Sequence, residues 1–546
     1  MKPLPIGVQD FKSVRKTDKY FVDKSMLIGQ ILDQNDCGVF LYTRPRRFGK
    51  SLNLSMLDAF FNIKYKGNDW FDGLEISKHH EYDVYKNAFP VISIDLKSCG
   101  VKDFNGFLKD FNSILFDVFD DFTYLRESLK LSEESKQLFT KYYAGDKDES
   151  DSKNAFKKLC SMLEKHHGTK VIVLMDEYDS AVNTVSDIGL RREIIAFLKG
   201  VMSSLFKGND SLQMGIVTGV MQIIKENIFS GLNNLYVDNI LSKRFDEMFG
   251  FTDSEVQKIC SDYGHPEKFG EAKEWYDGYR FGNADIYNPW SILNYVSEGF
   301  EPAPYWANTS GNDILEDLLL HADDGVLKDL GTLGSGGSVI HGISASLTFD
   351  DLCGNPGSIY SLMAMSGYLK AIPGEGGYRL SIPNKELYSV FSQMTFRFVF
   401  HDDDAFESLR AFSKAILSQD VQVMERSLYA LMADTLSSRV LDNEHSYQAF
   451  IAGVLMMMSG RYSVTADRES GKGYYDIRME KMSGPGCNVV MEIKRSDDAG
   501  SRERDAAGAI RQMIREKDYA RGLNGPTVLY GVAFFGKEPL IVSEML

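Results

Sequence analysis

The chain has 546 residues, which exceeds a single hydrophobic core and predicts about three or four domains. Hydrophobic residues at 43% and charged residues at 25% are values of globular protein, so wholesale disorder is excluded. A net charge of −16 excludes a nucleic-acid binder that works by overall basicity, but not one with a local basic groove.

The six cysteines (Cys37, Cys99, Cys160, Cys260, Cys353 and Cys487) are scattered, with no Cys-x-x-Cys pair. That spacing fits neither a zinc knuckle nor a disulfide scaffold, and it predicts a reducing compartment. The start, Met1-Lys2-Pro3-Leu4-Pro5-Ile6, has no long apolar core of the signal-peptide kind. No apolar run approaches the roughly 20 residues needed to span a bilayer. A soluble, cytoplasmic protein without a membrane partner is expected.

Residues 1–250 alternate short apolar strands with amphipathic helices, the pattern of a parallel α/β sheet. Strands are expected at Val39–Tyr42, Val91–Asp95, Val171–Asp176 and Met214–Thr218. A helical, aromatic-rich region over 251–330 follows, with Trp275–Arg280 and Tyr287–Trp290. Gly331, Gly334, Gly336 and Gly337 predict a flexible loop or boundary. Residues 331–440 read as a mixed, mostly helical connector. Across 441–546 the order is helix Tyr447–Met458, strand Tyr475–Met479, strand Val489–Lys494, helix Asp505–Arg521 and strand Thr527–Phe535. The run Leu455–Met458 reads as buried helix. From Asp467 to Arg521 twelve Lys and Arg face eleven Asp and Glu, so this stretch is near neutral and permits contact with a polyanion.

The segment Thr43-Arg44-Pro45-Arg46-Arg47-Phe48-Gly49-Lys50-Ser51 follows a strand and opens a helix, the context that a P-loop requires. Backbone N–H groups from Arg46, Arg47, Phe48 and Gly49 would surround phosphates, Lys50 would neutralise charge, and the Ser51 hydroxyl would ligate Mg²⁺. Arg44 stands where the first glycine of the motif is usual. A side chain there restricts the turn, while Arg44, Arg46 and Arg47 add positive charge beside a phosphate. The plain alternative is a basic turn before a helix. About 125 residues later, an apolar strand ends in Asp176-Glu177. Asp176 would hold the Mg²⁺ shell and Glu177 would orient or deprotonate a water. Asp179 fits either support of the site or helix capping. Thr218, at the end of another strand, could sense a γ-phosphate or be purely structural.

Near the C-terminus, Glu492 and Lys494 are two apart on an expected strand and therefore share a face. Val490, Met491 and Ile493 around them are apolar, so a carboxylate and an ammonium side by side cost energy unless they are used. Asp476, at the start of the preceding strand, can meet Glu492. Two carboxylates can hold Mg²⁺ or Mn²⁺, with Lys494 positioning a water for phosphodiester attack. Gln512, Lys517 and Tyr519 either line this cleft or lie on a solvated helix face. None of the histidines has metal-ligand spacing.

With these motifs, and with Tyr20–Ser25, Ser230–Asn234, Phe249–Thr252, Gly367–Leu369, Ile382–Asn384 and Glu469–Asp476, the chain resembles a known family. These are the AAA-ATPase-like proteins of bacteria and archaea that carry a C-terminal PD-(D/E)XK nuclease-superfamily domain. The resemblance runs over nearly the whole chain. It implies an α/β multidomain fold: a P-loop NTPase domain, a helical lid over 251–330, the connector, and a restriction-endonuclease-like α/β domain. It also implies ATP binding at an arginine-rich P-loop, and an arginine in place of the first glycine is shared. Tyr474 stands where the family has a basic residue after Gly-Lys-Gly. The leading expectation is an ATPase coupled to a Mg²⁺- or Mn²⁺-dependent nuclease acting on DNA or another nucleic acid. The alternative is an ATP-dependent switch or protein-remodelling ATPase, a homo-oligomer or partner-bound protein, with an idle nuclease-fold module.

Overall fold

The computed structural model describes residues 1–34, 38–97, 99, 103–144, 148–185, 187–221, 235–306, 318, 323–334, 336–346, 357–388, 391, 403–435, 444–455, 462–470, 473–481 and 486–546. The chain divides into two compact units, Met1–Leu318 with His341–Tyr378, and Leu319–Ile340 with Arg379–Leu546. No described helix is long and apolar enough to cross a membrane.

The first unit is built on a parallel sheet of β1 (Val39–Thr43), β2 (Val91–Asp95), β3 (Val171–Asp176), β4 (Leu212–Gly219) and β5 (Leu235–Asp238), in the order β2-β3-β4-β1-β5. All five residues of β1 and the first five of β3 are buried, as expected for strands covered on both faces. The covering helices are α1 (Lys50–Phe61), α2 (Phe104–Asp120), α3 (Glu149–His167) and α4 (Ile188–Phe206). Their ends are chemically marked. Asp148 and Asp151 form a capping box at the start of α3, and Gly168 ends it in the left-handed conformation. Strands β1 to β4 fall where the apolar runs predict them. Strand β5 was not expected, since four residues carry too little pattern to stand out.

The aromatic-rich region forms α5 (Asp253–Asp262), α6 (Phe269–Tyr276), an antiparallel hairpin of β6 (Tyr279–Phe281) and β7 (Ala284–Ile286), and α7 (Pro289–Ser297). Trp275, Tyr276, Tyr287 and Tyr295 form its core, against which Leu4, Tyr20 and Val22 of the N-terminal segment pack. The hairpin corrects an all-helical expectation: Asp277 and Gly278 end α6 and turn the chain.

In the second unit, helix α8 (Asp324–Gly334) precedes α9 (Asp403–Ser418), α10 (Val421–Thr435) and α11 (Glu444–Leu455). Gly331 and Gly334, expected in a loop, therefore lie in α8, where buried Leu330 and Leu333 outweigh poor glycine propensity. The mixed sheet follows the order β8 (Tyr462–Ser470), β9 (Gly473–Lys481), β10 (Asn488–Arg495), β11 (Thr527–Phe535) and β12 (Glu538–Met545). Only the β10–β11 pair is parallel, and α12 (Arg502–Arg511) makes its crossover. A Cβ at Gly531 of β11 would collide with the Ala506 carbonyl of α12, so this glycine permits the close approach. The expected strands and the crossover are present, with β8 and β12 added at the sheet edges. Leu455 is buried as expected, while Met456–Met458, Ser230–Asn234, Cys37 and Cys353 lie outside the described residues.

One contact of the first unit departs from the sequence reading. Arg44, at the C-terminal end of β1, is wholly buried and points away from the phosphate loop. Its guanidinium pairs with Asp238 of β5, which is equally buried, and donates to the Thr43 carbonyl at 2.9 Å. It also lies 5.0 Å from the ring of Phe249 and 5.2 Å from that of Phe281. Arg44 thus anchors the sheet edge instead of adding charge beside a phosphate. Breaking a buried ion pair by removing one partner leaves an uncompensated charge, at a cost of about 3–5 kcal/mol. Arg44→Gly, which restores the usual glycine of the motif, should lower unfolding stability by about that amount in a denaturant titration. A variant as stable as the wild type would refute the anchoring role.

Candidate functional site

In the first unit, the C-terminal ends of the parallel strands converge on a cavity of about 360 Å³. Arg46, Arg47, Phe48, Gly49, Lys50 and Ser51 line one wall, and Lys97, Glu177 and Ser180 line another. Gly49 has φ 83° and opens α1, so the loop passes directly into the helix N-terminus, where N–H groups attract anions. A Cβ there meets nothing within 4 Å, but the left-handed backbone strains any L side chain. Phe48 is a core anchor, its ring 4.9 Å from Tyr279 and 5.0 Å from Phe281, so only its backbone remains for a ligand.

Lys50 is buried, and its Nζ donates to the carbonyls of Arg44 and Pro45 at 2.9 Å each. Burial lowers its pKa, an effect opposed by Asp176, Glu177 and Asp179. Strand β4 lies between β1 and β3, so Thr218 arrives beside Asp176 and donates its hydroxyl hydrogen to Oδ1. The residues that line the cavity include neither Thr218 nor Asp176. The placement makes Thr218 an orienter of the carboxylate. Asp179 accepts the Val220 and Met221 N–H groups at 2.9 and 2.8 Å and the Asn183 amide at 3.0 Å, tying the end of β4 to the turn after β3. Glu177 takes a left-handed φ of 48° and faces the cavity. Burial raises its pKa, with Lys50 pulling the other way and Asp176 adding to the rise. The donor set suits a triphosphate with Mg²⁺: one buried ammonium, loop N–H groups, a hydroxyl and a carboxylate.

Sequence reasoning assigned no role to the rest of the cavity lining. Tyr20, Phe21, Val22 and Lys24 come from the N-terminal segment, and Trp290 and Leu293 from α7. Lys24 is held by Glu255 at 2.7 Å and by the Glu247 carbonyl at 2.7 Å. Lys97 stands two residues past β2 and acts on the charge of Glu177. The only sequence signal was that Tyr20–Ser25 and Tyr287–Trp290 belong to the resembling motifs; Leu293 and Lys97 had none.

The second unit brings Asp476, Glu492 and Lys494 together. The β9–β10 register ends at Ile477 opposite Met491, and just beyond it the Asp476 carboxylate accepts the Ile493 N–H at 2.6 Å. Glu492 is 3% exposed, and its Oε1 accepts from Lys494 Nζ at 2.9 Å. Its Oε2 is buried and, among the described residues, has no hydrogen-bond partner. Burial, then repulsion from Asp476, pushes its pKa up to about 7, although Lys494 opposes this. For Lys494, burial acts downward, but Glu492 and its hydrogen bond outweigh it, and the pKa is raised. An orphaned buried carboxylate oxygen beside a second carboxylate is a donor set that a divalent cation fits. Among the described residues, no group of three or more His, Cys, Asp or Glu could hold a metal ion, so such a cation would lean on these two and on water.

Two supports come from α11, 51 residues from the partner in one case and 28 in the other, and had no sequence signal. Glu444 accepts the Arg495 N–H at 3.2 Å and lies 4.0 Å from Lys494 Nζ, while Gln448 donates to the Asp476 carbonyl at 3.0 Å. Beyond α12, the chain makes a π-helical turn over Gln512–Lys517, a feature common near functional sites. Tyr519 is buried near Tyr475 and feels the charges of Glu492 and Asp476, so it is not on a solvated face. A Cβ at Gly473 would lie 3.1 Å from both Lys517 Cδ and Tyr519 Oη, and these side chains close over that strand. Tyr474 is 63% exposed.

Residues 5–229 match the family model described as Predicted AAA-ATPase, and residues 442–544 match that of the PD-(D/E)XK nuclease superfamily. The chain therefore carries an AAA-ATPase-like domain and a PD-(D/E)XK domain, each containing one of the two sites. It is also 25% identical, over 98% of its length and 96% of the other's, to a protein of Azotobacter chroococcum mcd 1 described as an uncharacterized protein in the vnfD 5' region.

The position of Glu492 generates a pH dependence. A proton on a carboxylate with pKa about 7 competes with a cation, so the site is open above that value and closes as pH falls through it. Calorimetric Mn²⁺ affinity should rise about tenfold between pH 6 and pH 8. In Glu492→Gln that dependence should vanish along with most of the affinity. A flat wild-type profile would remove Glu492 from the ligand set.

Proposed function

We propose that this chain, an AAA-ATPase-like module joined to a PD-(D/E)XK module, binds and hydrolyses MgATP and cuts nucleic-acid phosphodiester bonds with a divalent cation. The nuclease reading is carried by Glu492, whose buried Oε2 has no partner among the described residues while its Oε1 accepts from Lys494 at 2.9 Å. A polar atom left so costs stability unless a ligand completes it.

At the first site, Lys50 leaves the loop carbonyls to neutralise β- and γ-phosphate charge, and the loop N–H groups bind the phosphate oxygens. Ser51 and Asp176 would hold Mg²⁺, and the hydroxyl of Thr218 keeps Asp176 in one orientation. Glu177 takes a proton from the attacking water; its raised pKa makes it a stronger base than a solvated carboxylate. At the second site, Mg²⁺ or Mn²⁺ would be held by Asp476 and Glu492 and would supply Lewis acidity toward the phosphate and its water. Lys494 orients the water and stabilises charge on the phosphate oxygens. Asp476, fixed by the Ile493 N–H and by Gln448 through its carbonyl, keeps the pair in register.

Two sets of variants test this reading. Lys50→Ala should weaken ATP binding by about tenfold or more, whereas Glu177→Gln should keep ATP and lose about 10²-fold in phosphate release. Unchanged ATP affinity in the first variant would remove the P-loop assignment.

Linear duplex DNA, single-stranded DNA and RNA, offered with Mg²⁺ or Mn²⁺ in the presence and absence of ATP, test the second site. Asp476→Ala and Glu492→Ala should lose both Mn²⁺ binding and cleavage. Lys494→Ala should keep the metal and slow cleavage by about 10²-fold or more. Cleavage unchanged in all three variants would place the chemistry elsewhere. A wild type that binds ATP but neither Mn²⁺ nor nucleic acid would favour the ATP-dependent switch with an idle module.

A further inference from the structure

The cavity over the phosphate loop contains a cation to which the reading above gives no task. Arg47 lies two residues before Gly49 with φ 70°, a left-handed backbone that few residues other than glycine adopt. Such strain persists where the surroundings hold it, and it concentrates at ligand clamps. The guanidinium carbon of Arg47 lies 4.3 Å from the centre of the Trp290 ring. The side chain is half-buried and lines the cavity with Lys50 and Ser51. Among the described residues, no carboxylate or carbonyl accepts a hydrogen bond from it, whereas Arg44 of the same loop is bonded to Asp238, Thr43 and Phe245. The charges that act on Arg47 are those of Glu177 and Arg46.

Three observations locate the missing acceptor. The guanidinium is a planar fork of five donors matched to phosphate oxygens. Glu177, which lines the same cavity, is the carboxylate whose charge acts on it, and the proposed base assigns the attacked end of the nucleotide to Glu177. The guanidinium's present contact, a stack on an aromatic ring, is weaker than a charge-assisted bidentate bond to phosphate. Trp290 itself is fixed: its backbone N–H is taken by the Asn288 cap at 2.9 Å, and its indole donates to the Tyr305 carbonyl at 3.1 Å. A Cβ on Gly7 would lie 3.9 Å from the same ring, so loop, N-terminal segment and first turn of α7 meet there.

Building on the ATP-site reading, we propose that Arg47 reads the γ-phosphate: its guanidinium leaves Trp290 to bond the terminal phosphate of ATP and returns to the ring when ADP remains. The phosphate loop is then tied to α7 in the ADP state and released from it in the ATP state. Arg47 thereby makes the aromatic-rich region sensitive to hydrolysis.

The test uses the full chain with Mg²⁺, ADP and a non-hydrolysable ATP analogue. In calorimetry, Arg47→Gln should bind ADP within about twofold of wild type and the triphosphate at least about tenfold more weakly. Tryptophan emission in the wild type should differ between the two nucleotides, and that difference should disappear in both Arg47→Gln and Trp290→Phe. Equal weakening of both nucleotides by Arg47→Gln would mean that Arg47 only shapes the loop, and would overturn the inference. So would unchanged triphosphate affinity, or an emission difference that survives in Arg47→Gln. A wild type that binds neither nucleotide would instead bring down the ATP reading on which this inference stands.

Discussion

A buried ion pair sets the phosphate loop in place. Arg44 and Asp238 are both without solvent exposure, and burial of two charges is tolerated only where each satisfies the other. The pair locks edge strand β5 to the end of β1. The same guanidinium lies over the rings of Phe249 and Phe281, so loop, sheet edge and hairpin share one contact. The Arg44 side chain runs toward β5 while its carbonyl, with that of Pro45, accepts from Lys50. Where glycine would contribute conformational freedom, this chain uses an anchor.

Sheet order does the next part of the work. With β4 between β1 and β3, the loop after β1 and Asp176-Glu177 after β3 stand two strands apart. The residues at the end of β4 serve the carboxylates. Thr218 bonds Asp176, and Val220 and Met221 bond Asp179. A side chain at Gly219 would strike Tyr178 and Asp179, so close approach of the two strand ends depends on that glycine.

The second unit solves a related problem with a mixed sheet. Its carboxylates sit where the β9–β10 ladder opens, and Asp476 replaces a missing backbone acceptor for Ile493. Glu492 is kept among Val490, Met491 and Ile493 at an electrostatic cost that raises its pKa. In both units a lysine limits the cost of a carboxylate held partly or wholly out of water, Lys50 for half-buried Glu177 and Lys494 for buried Glu492.

The sequence by itself determined whatever depends on near neighbours along the chain. Strands β2, β3 and β11 were legible to the residue, because apolar runs with sharp ends carry their own boundaries. Gly-Lys-Ser after a strand, Asp-Glu at a strand end and the two-residue spacing of Glu492 and Lys494 each announce local geometry. Tertiary structure alone decided which distant groups complete those motifs. It turned Arg44 toward Asp238, 194 positions away, and Thr218 toward Asp176, and it brought Glu444 and Gln448 of α11 to the second site. The edge strands β5, β8 and β12 and the buried position of Tyr519 belong to the same class. The physical reason is common to all of them. A polar side chain can satisfy its bonds with many partners, and an edge strand with many neighbours, so the choice is made only when the packed chain presents one of them.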